Sequence, residues 1–173
     1  AEALGMSLTG SAIIPAPYKE RDEISYTTAK RIVEMVHEDL TPSKIMTRNA
    51  FENAIKVASA LGGSSNCPPH LIAIAKHIGV KIDIEDWQKL GHEIPLLVNC
   101  QPAGEHLMEG FFKAGGVPAV MKELLNNNQL HKDVLTVTGK TLEKNLNSEI
   151  KIDKEIIKEF KNPLAYKSGF IVM

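Results

Sequence analysis

Two segments of the chain place apolar residues at intervals of three or four positions, the spacing that puts them on one face of a helix. In residues 24–39 the apolar set comprises Ile24, Ala29, Ile32, Val33 and Val36. In residues 48–61 it comprises Phe51, Ala54, Ile55 and Ala58. Thr47 stands at the N-cap position of the second segment, and Gly62 and Gly63 follow its end. Both segments are therefore predicted to be amphipathic helices.

The remaining segments alternate between short helical and short apolar patterns. Further helices are predicted at residues 1–6, at 71–78 (expected to be buried), at 84–90 behind an Asp83 cap, near 105–113 and near 117–125. The apolar runs 94–99 and 134–137 are typical of buried strands. Helices interleaved with short strands predict an α/β fold, with helices packed on a mostly parallel sheet.

The chain is predicted to divide into three parts. Residues 1–146 form part of an α/β domain, residues 147–167 are polar and linker-like, and residues 168–173 begin a second, β-rich domain. Both ends are expected to be cut. The first residues have no capping side chain before them, and no turn follows the last apolar run.

Composition excludes several classes of function. Of the 173 residues, 43% are hydrophobic and 24% are charged, the profile of a globular protein. The net charge of -1 predicts that the chain binds neither nucleic acid nor an anionic membrane. No apolar run reaches the roughly 20 residues that span a bilayer, and the start lacks the order of a signal peptide. A cytoplasmic location is expected.

The sequence lacks the residues that two common types of binding site require. The run Gly139–Thr141 ends like a phosphate-binding P-loop, but Val134 stands where that loop requires glycine. Cys67 and Cys100 are too few for a disulfide framework and lack the spacing of metal ligands. Neither nucleotide binding nor a metal site is predicted from these residues.

The histidines do not form a recognisable ligand set. His70 and His77 are two helical turns apart, too far for the i, i+4 pair that binds zinc. Surface positions are predicted for His37, His92, His106 and His131. Arg48 and Glu52, one turn apart, are predicted to form a surface ion pair.

Two loops carry the candidate binding residues. Ser64, Ser65 and Asn66 follow two glycines and precede a helix, whose first amides could hold a carboxylate. Helix capping is the alternative role for the same side chains. Gln101 lies in the loop after the predicted strand 94–99, the edge where α/β sheets bind ligands. With His70 near the first loop, these five residues are the candidate substrate pocket.

Several motifs together resemble the dihydroxy-acid and sugar-acid dehydratase family. They lie, in the order and spacing of the family, at residues 1–12, 47–55, 62–66, 95–104, 114–120 and 135–141. Three further stretches, residues 66–71, 98–104 and 162–170, are more similar to the branch that acts on sugar acids such as arabinonate or xylonate. The branch that acts in branched-chain amino-acid synthesis is the alternative.

The resemblance implies an enzyme that converts a 2,3-dihydroxy acid into a 2-keto-3-deoxy acid. In such enzymes an iron–sulfur cluster, here expected to be [2Fe–2S], and Mg²⁺ assist the loss of the hydroxyl, and a serine removes a proton. This implies that the catalytic residues and metal ligands lie outside the chain, whose Cys67 and Cys100 match no ligand motif. It also implies a small sugar acid as substrate and a homo-oligomer, dimer or tetramer. The alternative is a non-catalytic module that keeps the dehydratase framework without its active site.

Overall fold

The computed structural model describes residues 1–168, and most of its regular structure is helical. Its α-helices are α1 (Lys19–His37), α2 (Pro42–Ile45), α3 (Arg48–Ala60), α4 (Cys67–His77), α5 (Ile84–Asp86), α6 (Met108–Lys113), α7 (Gly116–Asn126) and α8 (Leu142–Leu146). A π-helix at Trp87–Gly91 directly continues α5. Within this described part, no helix is both long and apolar enough to cross a membrane.

The predicted helix at 48–61 is confirmed as α3, the centre of the core. The Thr47 hydroxyl accepts a hydrogen bond from the Ala50 amide at 3.4 Å and thereby caps the helix. The helix packs against the π-helix, α4 and α7. Its own Phe51 and Ile55 are buried in one cluster with Trp87, Phe111 and Leu124. The helix ends where Gly62 adopts a φ of 63°, a conformation that glycine tolerates best.

Helices α1 and α4 form where the pattern predicts helices, but they are less buried than expected. Met35 is the one residue of α1 that is buried. The apolar face predicted for that helix includes Val33 and Val36, which are 57% and 73% exposed. In α4 the buried residues are Pro68 and Ala75, so the expectation of a buried helix there is wrong.

The apolar runs that predict strands form only isolated bridges within residues 1–168. Leu96 pairs with Ala165 and Val98 with Ile157, both antiparallel, while the bridge from Cys100 to His106 is parallel. In the second run, Leu135 makes one antiparallel bridge to Thr141. The described residues therefore contain little strand, and they do not display the mostly parallel sheet predicted for the domain.

The predicted linker at residues 147–167 is irregular but packed. Its Ile156 carbonyl accepts a hydrogen bond from the Asn99 amide at 2.8 Å, and the Lys158 amide donates to the Leu97 carbonyl at 2.8 Å. Ile157 is buried in the main core. The domain boundaries at 146 and 167 stay predictions. Residues 169–173, most of the predicted start of a second domain, lie outside the described residues.

The predicted surface pair of Arg48 and Glu52 belongs to a larger, half-buried network. The Arg48 guanidinium donates to Glu52 Oε1 at 2.8 Å and to both carboxylate oxygens of Asp86 at 2.6 and 2.9 Å. The second Glu52 oxygen contacts His131 Nε2 at 2.7 Å. Because these groups come from α3, α5 and the segment after α7, the network ties three parts of the chain together.

Candidate functional site

The first candidate loop, residues 61–66, turns sharply against the segment that carries the second. A Cβ atom at Gly62 would lie 2.9 Å from the Leu96 side chain and 3.6 Å from that of Ala103. Ordinary contacts between carbon atoms are about 3.5–4.0 Å, so a side chain at position 62 would displace the Leu96 side chain. The absence of a side chain at Gly62 thus lets the loop after α3 lie beside residues 96–103.

The polar side chains of this loop are mostly uncommitted. Ser64 Oγ accepts a hydrogen bond from the Asn66 amide at 3.2 Å, which closes a local turn. Asn66 is the N-cap residue of α4, but its side chain makes no capping bond. Ser65 and Asn66 are exposed, and their side chains form no hydrogen bond within residues 1–168. Their polar groups are thus free to bind a ligand.

The second candidate loop has a rigid base and an exposed tip. Buried Asn99 accepts a hydrogen bond at Oδ1 from the Glu105 amide at 3.0 Å. The Gln101 amide donates to the His106 carbonyl at 2.9 Å, and the peptide bond from Gln101 to Pro102 is cis. The Gln101 side chain is exposed and has no hydrogen-bond partner in the described part of the chain.

A cavity of about 650 Å³ lies between the first residues of the chain, α3 and α4. Its wall is largely apolar, and its polar members include Glu2, Asn66 and His70. Asn66 and His70 are four residues apart on one face of α4, which brings both to the same cavity. Ser64, Ser65 and Gln101 are not among the residues that line it. The structure thus places the candidate residues at two adjoining loops and one cavity.

Glu2 is a residue of this cavity that the sequence did not single out. Glu2 is 5% exposed, and its carboxylate accepts hydrogen bonds from the Gly10 amide at 2.6 Å and the Ala12 amide at 3.0 Å. Burial raises the pKa of Glu2, although these two amides oppose the shift. Residues 1–6 form turns, closed by hydrogen bonds from the Gly5 amide to the Glu2 carbonyl and from the Met6 amide to the Ala1 carbonyl, so the predicted helix there is wrong. The sequence signal that could have identified Glu2 is an acidic residue within an otherwise apolar run.

The exposure of the histidines agrees only in part with the predicted surface positions. His70 and His77 are exposed on α4. His92, His106 and His131 are half-buried rather than fully on the surface, and His106 Nε2 is buried without a hydrogen bond in the structure. His131 forms an ion-pair contact with Glu52.

The described residues do not fit an iron–sulfur cluster or a divalent metal ion. Within residues 1–168, no three His, Cys, Asp or Glu side chains are grouped as metal ligands would be. Cys67 is half-buried beside the cavity, whereas Cys100 is buried and donates its thiol to the Leu107 carbonyl. Burial raises the pKa of Cys100, which disfavours the thiolate that binds metals.

Comparison with known proteins identifies the family. The family model described as dihydroxy-acid/6-phosphogluconate dehydratase N-terminal matches residues 1–145. D-xylonate dehydratase of Caulobacter vibrioides is 53% identical over all 173 residues, which cover 29% of that enzyme. L-arabinonate dehydratase of Rhizobium leguminosarum bv. trifolii is 43% identical over the whole chain, which covers 30% of it.

Dehydratases that are named for a different substrate are also similar. Dihydroxy-acid dehydratase of Acetivibrio thermocellus is 42% identical over 172 residues, or 99% of the chain and 31% of that enzyme. The chain thus spans about three-tenths of the length of these curated relatives. Since the family model covers most of the chain and includes both candidate loops, the chain belongs to the dihydroxy-acid/6-phosphogluconate dehydratase family.

Proposed function

We propose that the complete protein carrying this chain is a hydro-lyase that dehydrates an aldonate sugar acid to a 2-keto-3-deoxy acid. The observation that supports this most is the 53% identity to a D-xylonate dehydratase across the whole chain. Identity to the dihydroxy-acid dehydratase of Acetivibrio thermocellus is 42%. The alternative enzyme is a branched-chain dihydroxy-acid dehydratase. The alternative from a different functional class is a non-catalytic module on the same framework.

The role that we assign to this chain is to bind the substrate rather than to break its bonds. Ser65, Asn66 and Gln101 are neutral, exposed and without hydrogen-bond partners in the described structure. Ser64 lies in the same loop, and His70 extends the polar surface to the cavity. Neutral donors and acceptors suit the hydroxyl groups of an aldonate, whereas a branched-chain dihydroxy acid has no hydroxyl beyond carbon 3.

Parts of the complete protein outside this chain are proposed to supply the cofactors. We assign the iron–sulfur cluster and Mg²⁺ of the family to those parts, because the described residues offer no suitable ligand group. The same parts would supply the remaining strands of an α/β domain. We further propose a cytoplasmic homodimer or homotetramer that binds neither nucleic acid nor membrane.

Activity of the complete protein tests the proposal directly. After anaerobic cluster reconstitution, the protein is assayed for 2-keto acid with D-xylonate, L-arabinonate and 2,3-dihydroxy-3-methylbutanoate. We expect kcat/KM to be at least about tenfold higher for one of the sugar acids, a difference of roughly 1.4 kcal/mol. Preference for the branched acid would favour the alternative enzyme, and no keto acid from any of the three would favour the non-catalytic module.

Substitutions in the first loop test the binding residues. Ser65→Ala and Asn66→Ala should each lower kcat/KM for the sugar acid several-fold while leaving the melting temperature nearly unchanged, because neither side chain has a structural bond to lose. Ser148→Ala, at an exposed serine whose side chain also has no hydrogen bond within residues 1–168, is the matched control. If kcat/KM stayed within about twofold, roughly 0.5 kcal/mol, Ser65 and Asn66 would not be binding residues.

A further inference from the structure

The loop that carries Gln101 is held in place by one buried amide side chain, that of Asn99. Asn99 is 8% exposed, and its Oδ1 accepts the Glu105 amide at 3.0 Å. The Asn99 backbone carbonyl accepts the His106 amide at 3.1 Å, and its own amide donates to the Ile156 carbonyl at 2.8 Å. One residue therefore joins both ends of the loop to the packed segment around Ile156.

Close packing leaves the loop little freedom to move away from this amide. A Cβ atom at Gly104 would lie 2.4 Å from Asn99 Oδ1 and 2.5 Å from the Asn99 carbonyl carbon. The Gly104 amide also donates to the Cys100 carbonyl at 2.7 Å. The backbone at Gly104 thus lies directly against Asn99, and on its other side the loop meets Gly62 through Ala103.

These contacts fix the backbone from which the free Gln101 side chain projects. We infer that Asn99 is a positioning residue, which holds the 101–104 loop through the Glu105 amide so that Gln101 hydrogen-bonds a hydroxyl beyond carbon 3 of the aldonate. The inference rests on the proposed function. It assigns Gln101 the role of distinguishing a polyhydroxylated acid from a shorter one, and assigns Asn99 no contact with the substrate.

A double-mutant cycle in the complete protein tests this inference. Asn99→Ala and Gln101→Ala, alone and together, are assayed with D-xylonate. Each single variant should lose about tenfold in kcat/KM, mainly through KM, and the double variant should match the Gln101 variant within about twofold. With 2,3-dihydroxy-3-methylbutanoate, which has no hydroxyl beyond carbon 3, each variant should lose clearly less kcat/KM than it loses with D-xylonate, and an equal loss would overturn the role of Gln101.

A conservative variant and a structural control separate positioning from general destabilisation. Asn99→Asp keeps an oxygen that can accept the Glu105 amide, and it should restore most of the kcat/KM lost in Asn99→Ala. Asn53→Ala is the control, because Asn53 is also a buried amide that clasps a backbone, bonding the His131 amide and carbonyl at 2.8 and 2.9 Å. It should reduce stability and leave kcat/KM unchanged.

Hydrogen exchange at the Glu105 amide gives a readout independent of turnover. Asn99→Ala should accelerate that exchange at least tenfold, and Gln101→Ala should not; Asn99→Ser replaces the alanine variant if the latter does not fold. Additive losses in the cycle, or unchanged Glu105 exchange, would overturn the role of Asn99 in an otherwise active enzyme. Inactivity of the unsubstituted protein toward every acid would instead overturn the proposed function, and the role of Gln101 with it.

Discussion

Replacing Arg48 by alanine should open the region where α3, α5 and the π-helix meet. The guanidinium makes a bidentate contact with the Asp86 carboxylate, with both N–O distances below 3 Å, and donates a third hydrogen bond to Glu52. It also donates to the Lys81 carbonyl at 2.6 Å. Alanine removes all four bonds and leaves Asp86, which is 8% exposed, with a hydrogen bond from the Asp83 amide.

The expected cost of this substitution is about 2–3 kcal/mol. Hydrogen bonds to charged groups contribute roughly 1.5–3 kcal/mol each, but bonds that share one side chain are not additive. The Arg48 side chain is 39% exposed, so solvent screens part of the interaction. Arg48→Lys should recover less than half of the loss, because an ammonium group cannot bind both Asp86 oxygens in the same planar geometry.

Hydrogen exchange in the complete protein measures the effect locally. A loss of about 2–3 kcal/mol corresponds to a roughly 30- to 150-fold decrease in protection of amides that exchange through this opening. Amides of residues 82–91 and the first bonded turn of α3 should report it. Lys113→Ala is the control, since it breaks an i, i+4 pair with Glu109 in which both side chains are more than half exposed. That variant should change protection by less than about threefold.

The pH dependence of this loss of stability provides a second test. The hydrogen bond from Arg48 is the main reason that the pKa of Asp86 is lowered from its ordinary value of 3.8. A carboxyl group with a lowered pKa contributes stability above its ordinary pKa and loses it as the pH falls toward the folded value. The difference between Arg48→Ala and the unsubstituted protein should therefore shrink below about pH 3.8. An effect no larger than that of Lys113→Ala at neutral pH would refute the reasoning.

Three further predictions follow from the same structure. Thr47→Ala should cost about 1 kcal/mol in local stability at the start of α3, because the Ala50 amide loses its acceptor; unchanged exchange there would contradict the cap. The isolated 173-residue chain should bind no iron–sulfur cluster and form no keto acid after anaerobic reconstitution, and a stoichiometric cluster spectrum would be the opposing result. The isolated chain should also self-associate, since Tyr26, Val33 and Val36 of α1 are more than half exposed; a sharp monomer peak on sizing would disprove this.

The helices could be predicted from the sequence because their signals are local. The Thr47 cap and the glycines after Leu61 bound α3 to within one residue of the predicted range. Asp83 forms a reciprocal capping box with Asp86, so the predicted helix behind it is confirmed, although its continuation is a π-helix. Neither feature requires knowledge of a distant part of the chain.

Burial and strand pairing could not be predicted in the same way. Periodicity shows that α1 has an apolar face, but it does not show what that face contacts, and Val36 is 73% exposed. An apolar run such as residues 94–99 is compatible with a parallel strand or with single bridges, and the partner residues Ile157 and Ala165 lie 59 and 69 positions further along the chain than Val98 and Leu96. Residues 1–6 likewise include contacts with a later segment, because the Glu2 carboxylate accepts hydrogen bonds from amides eight and ten residues further along the chain.

The division of roles among the amide side chains required the fold. By sequence, Asn66, Asn99 and Gln101 are equally suited to cap a backbone or to bind a ligand. In the structure Asn99 is committed to the Glu105 amide, whereas the side chains of Asn66 and Gln101 have no hydrogen-bond partner within residues 1–168. Because a buried amide is costly unless it is bonded, Asn99 can serve the loop only by remaining in place. The exposed pair can exchange water for a substrate hydroxyl at little cost, and this contrast is why binding is assigned to Asn66 and Gln101 and positioning to Asn99.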